Sequence, residues 1–257
     1  MDLNRAIETR ISCRSYADLP IEQEKLDRLQ RCIDTANTEA GLHFQLFGPR
    51  EDEAGRQYAA LDMNPRMFAG TVYHYAALVG HDDELTREKV GYYGEKLVLL
   101  ATLMGLGTCW VASTFDRDTC RADIGEDEIL YDVVPLGYAM GKTPFKQKTI
   151  RAGLRRHDKS PAQMVETDLA ELPRWFEDAI AAVIKGPSAI NEQPVTFVYR
   201  AGRITAEVRE IKRGREIEDL GIAKLHFEIG SGERGTWQWG NGAEFVLNAA
   251  DSVNGTI

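Results

Sequence analysis

Two arginines flank a serine near the start of the chain: Arg10, Ser12 and Arg14, in the run RISCR. If that run is extended, alternate residues share one face and these three side chains point the same way. Two guanidiniums around a hydroxyl suit a phosphate and the polar edge of a ring. The same spacing also suits a surface strand held by salt bridges. A second polar group stands at 187–194, PSAINEQP, where Ser188, Asn191 and Gln193 crowd a proline-opened loop. They either satisfy a buried bend or present hydrogen-bonding groups to a ligand. A third piece, GLGTCWVASTF at 105–115, lacks a third glycine and follows a helical run rather than a strand. It is therefore not a dinucleotide fingerprint.

Other chemistries lack their residues. No nucleophile elbow GxSxG and no phosphate loop GxxxxGKS/T occurs. His43, His74, His81, His157 and His226 form no HExxH or similar set, and no metal site is expected. Cys13, Cys32, Cys109 and Cys120 have neither CxxC nor zinc spacing. Cys109, among apolar neighbours, reads as packed core rather than a redox group. The net charge of −9 argues against nucleic acid as a partner, since that needs a basic face. It leaves room for one local anion site. Lys142, Lys146, Lys148, Arg151, Arg155, Arg156 and Lys159 form such a basic cluster, which reads either as a solvated linker or as an anion site. The N-terminus has no apolar signal core, and no apolar run reaches the roughly 18 residues of a membrane span. A cytoplasmic, reduced protein without a membrane partner is the expectation.

The elements that must position these pieces follow from periodicity. LNRAIETRIS has helical spacing, and an amphipathic helix is expected through DLPIEQEKLDRLQRCIDTA from Pro20 or Ile21. GLHFQLF reads as a strand closed by Gly48-Pro49, and residues 71–80 as an apolar central strand. ELTREKVGYYGEKLVLLATLMGLG is the longest helix, apolar all round in its second half, with Gly105 and Gly107 ending it. DVVPLGYAM is another strand. RWFEDAIAAVIK is a helix, VTFVYR and ITAEV are strands, and GTWQWGNGAEFVL a final strand. Helix, loop, strand and turn thus recur in the second part of the chain, a weak self-similarity that suggests two related halves.

The three motifs in this order resemble the FMN-dependent nitroreductase family. TRISCRSYADLPIEQEKLDRL is similar to the family's N-terminal R-x-S-x-R segment and following helix. VGYYGEKLVLLATLMGLGTCWVASTFD is similar to the long helix and GLGTCW turn of the subgroup called TM nitroreductases. KGPSAINEQPVTF is similar to the family's P-S-x-x-N-x-Q-P flavin loop. Ile11 stands where many members have a second basic residue, and Val195 where an aromatic is common.

The resemblance implies an α+β, nitroreductase-like fold: a central, mainly antiparallel sheet flanked by helices. It implies two related halves, 1–165 and 166–257, forming an intrachain pseudo-dimer. Each chain would hold one complete site and a monomer could bind FMN. Arg10 and Ser12 would hold the phosphate and ribityl end. Arg14 would lie near the pyrimidine edge, where a positive group raises the flavin potential. Backbone groups of Ala112, Ser113 and Thr114 would line N5. Pro187, Ser188 and Asn191 would come from the flavin loop, Ser188 and Asn191 at the polar ring edge. Arg156 and Lys159 would be late phosphate contacts, with Arg155 an alternative. Hydride would pass from NADH or NADPH through flavin N5 to a nitro-aromatic, quinone or similar small-molecule acceptor. No side chain would be catalytic, because the flavin carries the chemistry.

Overall fold

The computed structural model describes residues 2–141 and 158–248. These fall into two compact units. One is built from 2–86 and 96–141, the other from 87–95 and 158–248.

The first unit opens with α1 (Leu3–Thr9), which buries Ala6 and Ile7 and is capped by Asp2 accepting from Arg5 N. Extended chain follows into β1 (Ser15–Tyr16). The next helix, α2, runs Gln23–Ala40. It starts after Pro20 and Ile21, not at them: Ile21 is buried in the segment that enters the helix, and Glu22 is the N-cap. Leu29, Ile33, Ala36 and Ala40 form the buried stripe, and Gly41, at φ 68°, takes the left-handed turn that ends the helix. Three short strands come next, β2 (Gln45–Phe47), β3 (Arg50–Glu51) and β4 (Gln57–Tyr58), the last two forming a hairpin. Then come β5 (Ala69–Gly70), parallel to β1, and β6 (His74–His81).

Seven of the eight residues of β6 are buried, as a strand covered on both faces requires. It is central in an antiparallel sheet of order β2-β6-β8-β7, where β7 is Gly107–Thr108 and β8 is Glu128–Gly137. Between β6 and β7 runs α3 (Glu84–Leu103), capped by Asp83 on Thr86 N. It ends as a paired terminal motif: Gly105 N donates to Thr102 O and Leu106 N to Ala101 O, with Gly105 at φ 77°. Gly107 does not share in that ending. It belongs to β7, where a Cβ would come within 2.7 Å of the Cys13 side chain. Its lack of a side chain serves packing, not capping.

The second unit begins with α4 (Pro161–Met164), closed by a capping box from Ser160 and Gln163, and β9 (Val165–Thr167). After α5 (Arg174–Lys185), the strands β10 (Val195–Arg200) and β11 (Arg203–Val208) pair as an antiparallel hairpin. Ala201 and Gly202, both at positive φ, form its two-residue turn. The sheet order is β11-β10-β9, with β9 parallel to β10. Residues 158–165 pack with the second unit, where β9 pairs with β10.

Last come α6 (Glu216–Gly230), buried almost all round, and the hairpin β12 (Gly235–Trp237) with β13 (Phe245–Leu247). The single final strand expected across 236–247 is thus a hairpin, because Gly240 and Gly242 turn the chain at positive φ. Met164, Phe176, Phe197, Leu220, Phe227 and Trp237 belong to one apolar core beneath these elements.

Residues 87–95 of α3 belong here because two glycines admit them. A Cβ on Gly91 would lie 1.9 Å from Glu218 O, and one on Gly221 would lie 1.9 Å from Glu88 O. The backbones touch at that crossing. Buried pairs flank it: Lys224 with Glu88, and His226 Nε2 with Glu95 at 3.0 Å. His226 Nδ1 donates to Ala182 O, tying α5 to the same place.

Candidate functional site

In the first unit the R-x-S-x-R run is extended. Ser12 forms a parallel bridge with Thr108, and Cys13 N donates to Thr108 O at 2.7 Å. The buried side chains of Cys13, Ser15 and Tyr16 anchor the run, leaving Ser12 exposed and Arg10 and Arg14 half-buried. All three predicted residues gather around Cys109. The Ser12 side chain hydrogen-bonds the thiol, and Arg14 and Arg10 act on it electrostatically. Burial pushes the Cys109 thiol up despite these positive neighbours, and burial raises Cys13 as well. Both stay protonated thiols, so the cluster is a pair of cations and a hydroxyl rather than a nucleophile.

Thr108 leads directly into the other predicted piece. Val111 bridges Val133 and Phe115 bridges Met63, so Ala112, Ser113 and Thr114 form a bend between two anchored points. Ser113 is exposed, and Thr114 O accepts from Asn64 N. One ladder contact, Ser12 with Thr108, therefore brings Arg10, Ser12 and Arg14 to the strand that feeds this bend.

In the second unit, Gly186 ends α5 and Pro187 opens the loop. Its polar groups turn inward. Ser188 Oγ accepts from Gln193 N at 3.0 Å, and Gln193 Nε2 donates to Ile184 O at 2.9 Å. Asn191 Nδ2 donates to Asp158 Oδ1 at 2.7 Å. Lys159 joins the same network: its backbone N donates to Gln193 Oε1, and its ammonium to Gln193 O, each at 2.7 Å. Of the two choices open for this loop, satisfying a bend accounts for Ser188 and Gln193. Arg155 and Arg156 lie outside the described residues.

Two further features escape a reading of residue types. Asp219, in the first turn of α6, accepts from Ala189 N at 3.0 and 3.2 Å. Burial raises its carboxyl to about 8. Its one sequence signal is an acidic residue at the head of the otherwise apolar run EDLGIAK. A cavity of about 20 Å³, bounded in part by Pro187, Ser188, Gln193 and Asp219, lies under the loop. Separately, GSGERG at 230–235 spells the dinucleotide glycine pattern, but it closes α6 and opens β12. That order reverses the strand-to-helix context the pattern needs.

Comparison with known proteins adds the family. Residues 2–231 match the family described as "Putative TM nitroreductase". The chain belongs to this nitroreductase family. Among solved structures, it is similar to a "putative nitroreductase" of Thermotoga maritima, with a TM-score of 0.61 and 21% identity. That alignment covers 96% of this chain and 93% of the other, and it shows the nitroreductase fold. A nitroreductase with bound FMN from Bacteroides fragilis aligns at a TM-score of 0.40 and 18% identity, over 56% of this chain and 92% of its own. No curated protein matches the chain. Among the described residues of this family member, no helix is long and apolar enough to cross a membrane.

Proposed function

We propose that this nitroreductase-family chain is an FMN-dependent oxidoreductase that draws on NADH or NADPH and reduces a nitro-aromatic, quinone or similar small molecule. The observation that carries this reading is the Ser12–Thr108 bridge, which gathers Arg10, Ser12 and Arg14 beside the strand entering the Ala112–Thr114 bend. The donor set fits the cofactor's chemistry. Guanidiniums match a dianionic phosphate by charge and by their forked N–H groups. Arg10 and Ser12 would take the phosphate and ribityl end, Arg14 the pyrimidine edge, and the Ala112–Thr114 backbone the N5 side. Pro187, Ser188, Asn191, Lys159 and Arg156 or Arg155 are proposed as the further contacts. Bound FMN would supply the two-electron hydride chemistry. The chain's part is to hold it, orient it and keep positive charge at its edge. The four cysteines are free, which fits a reducing cytoplasm. We also propose that a monomer can retain FMN.

A second reading has its own support. Asn191 is bonded to Asp158, and Ser188 serves Gln193, so the flavin loop's side chains already have internal partners. That favours a non-catalytic flavin carrier or sensor, or a scaffold without flavin. An absorbance spectrum taken before and after adding NADH or NADPH without oxygen separates the readings. Flavin bands that bleach support the reductase. Bands that persist mark a carrier. Absence of flavin binding, even with FMN added, rules out reductase and carrier alike and leaves the scaffold.

A further inference from the structure

The Pro187–Pro194 loop holds three non-glycine residues in the left-handed region: Ile190 at φ 47°, Asn191 at 61° and Gln193 at 47°. Such conformations cost about 1–3 kcal/mol each and persist only where surrounding contacts over-determine them. Most of the contacts that do so are amides, hydroxyls and exposed groups. One is a buried acid: Asp219, 5% exposed, grips Ala189 N with both carboxyl oxygens.

The surroundings of that acid favour its neutral form. Met164, Val183 and Ile222 form apolar walls of the cavity that Asp219 and the loop share. Among the described residues, the charged groups that act on it most strongly are Glu218 and Glu216 on α6 and Glu192 from the loop itself. All three have its own sign. Glu218 is held by Arg87 and Arg215, Glu192 by Arg213, and Glu216 by the backbone N–H groups of Lys212 and Arg213. The cavity of about 20 Å³ takes one water, far short of a carboxylate's hydration shell. Burial leads the rise of the carboxyl to about 8, the three glutamates add to it, and the Ala189 hydrogen bond opposes it. An ionised Asp219 can be relieved by moving the loop off it, so that water enters.

We propose that Asp219 is a proton-linked positioning residue: its protonated carboxyl holds the Pro187–Pro194 loop in the shape that receives FMN, and its ionisation releases the loop. The flavin half of this statement rests on the proposed function; the loop half does not. Two measurements on the whole protein keep them apart. The first is amide hydrogen exchange of the loop in ligand-free protein between pH 6.5 and 9.5, corrected for intrinsic rates. The second is the FMN dissociation constant at pH 7 and pH 9.

In the unaltered chain, loop protection falls across this range, and FMN binds roughly tenfold more weakly at pH 9, as the competent fraction shrinks. Asp219→Asn imitates the protonated form, so its loop protection and FMN affinity change less than twofold. Glu192→Gln removes one facing like charge and keeps Asp219, so an ionised Asp219 is better tolerated under the closed loop and loop opening at pH 9.5 diminishes. Loop protection independent of pH overturns the proposal. So does pH dependence retained in Asp219→Asn, or opening at pH 9.5 undiminished by Glu192→Gln. If the loop opens but FMN affinity stays constant, the link to FMN is overturned. If no variant binds FMN at any pH, the proposed function fails, and the exchange data alone decide the anchor.

Discussion

The RISCR segment and the Pro187–Pro194 loop are both short and polar, but their hydrogen bonds run in opposite directions. In RISCR the backbone is satisfied by backbone: Cys13 N on Thr108 O, and Ala69 N on Arg14 O. Ser12 is left exposed and the two arginines half-buried. In the loop two backbone bonds close a short turn, Asn191 N on Ser188 O and Glu192 N on Ala189 O, and side chains serve other groups: Ser188 serves Gln193 N, Asp219 serves Ala189 N, and Lys159 serves Gln193 O. A strand edge can use its ladder and keep its side chains for other chemistry. A loop bent through left-handed residues has no ladder and draws on its side chains instead. Similar polar composition therefore accompanies an exposed serine between half-buried arginines in one place and self-support in the other.

The largest expected effect tests the floor beneath the loop. Lys224→Met leaves Glu88 buried without its partner, and should cost about 3–5 kcal/mol in urea unfolding. Gln238 O and Gly240 O lose the ammonium donor as well. If the variant is as stable as the parent, the buried pair does not organise this unit.

Asp219→Asn comes next and has the opposite sign. The folded carboxyl sits near 8 and its ordinary value is 3.8, so the folded state holds the extra proton between them. Stability from this group is fully present below about pH 4 and falls as pH rises toward 8. Asparagine removes that fall. It should raise stability by about 2 kcal/mol or more at pH 8, with the gain shrinking at acidic pH. An equal effect at pH 4 and pH 8 would mean the acid does not titrate in the fold.

Arg14→Ala separates the two regions most directly. It should weaken FMN at least tenfold, or about 1.4 kcal/mol, while unfolding stability changes by no more than about 1 kcal/mol. A variant that loses stability and keeps FMN would make RISCR a self-supporting segment like the loop, and the contrast would collapse. Ser188→Ala acts on the fold: with Gln193 N losing its acceptor, stability drops by about 1 kcal/mol. The smallest effect is a gain. Ile190 is 53% exposed at φ 47°, so Ile190→Asn gives up little burial and relieves strain. Thermal unfolding should report a rise of up to about 1 kcal/mol.

Much of the local structure was legible. The stripe of Leu29, Ile33 and Ala36 marks α2, and its all-apolar second half marks α3. The extended character of RISCR followed from its alternation. The errors have a common cause. Pro20 and Ile21 read as a helical first turn, but Ile21 is buried ahead of the helix and the N-cap is Glu22. Gly107 looked like a cap, but the Cys13 side chain needed its space. Residues 236–247 looked like one strand, but Gly240 N is fixed by Glu88, far away in sequence. In each case a contact from a distant segment overruled a local pattern.

The sequence by itself determined the order of the three motifs, the family they belong to and most helices, because periodicity and turn chemistry act over a few residues. Only the tertiary structure decided that Ser12 lies beside Thr108, that Gly91 meets Gly221, and that Asp219 reaches Ala189. Those pairings join residues tens of positions apart through close packing and burial. No local propensity encodes such contacts, and they set both where the arginines gather and what charge Asp219 carries.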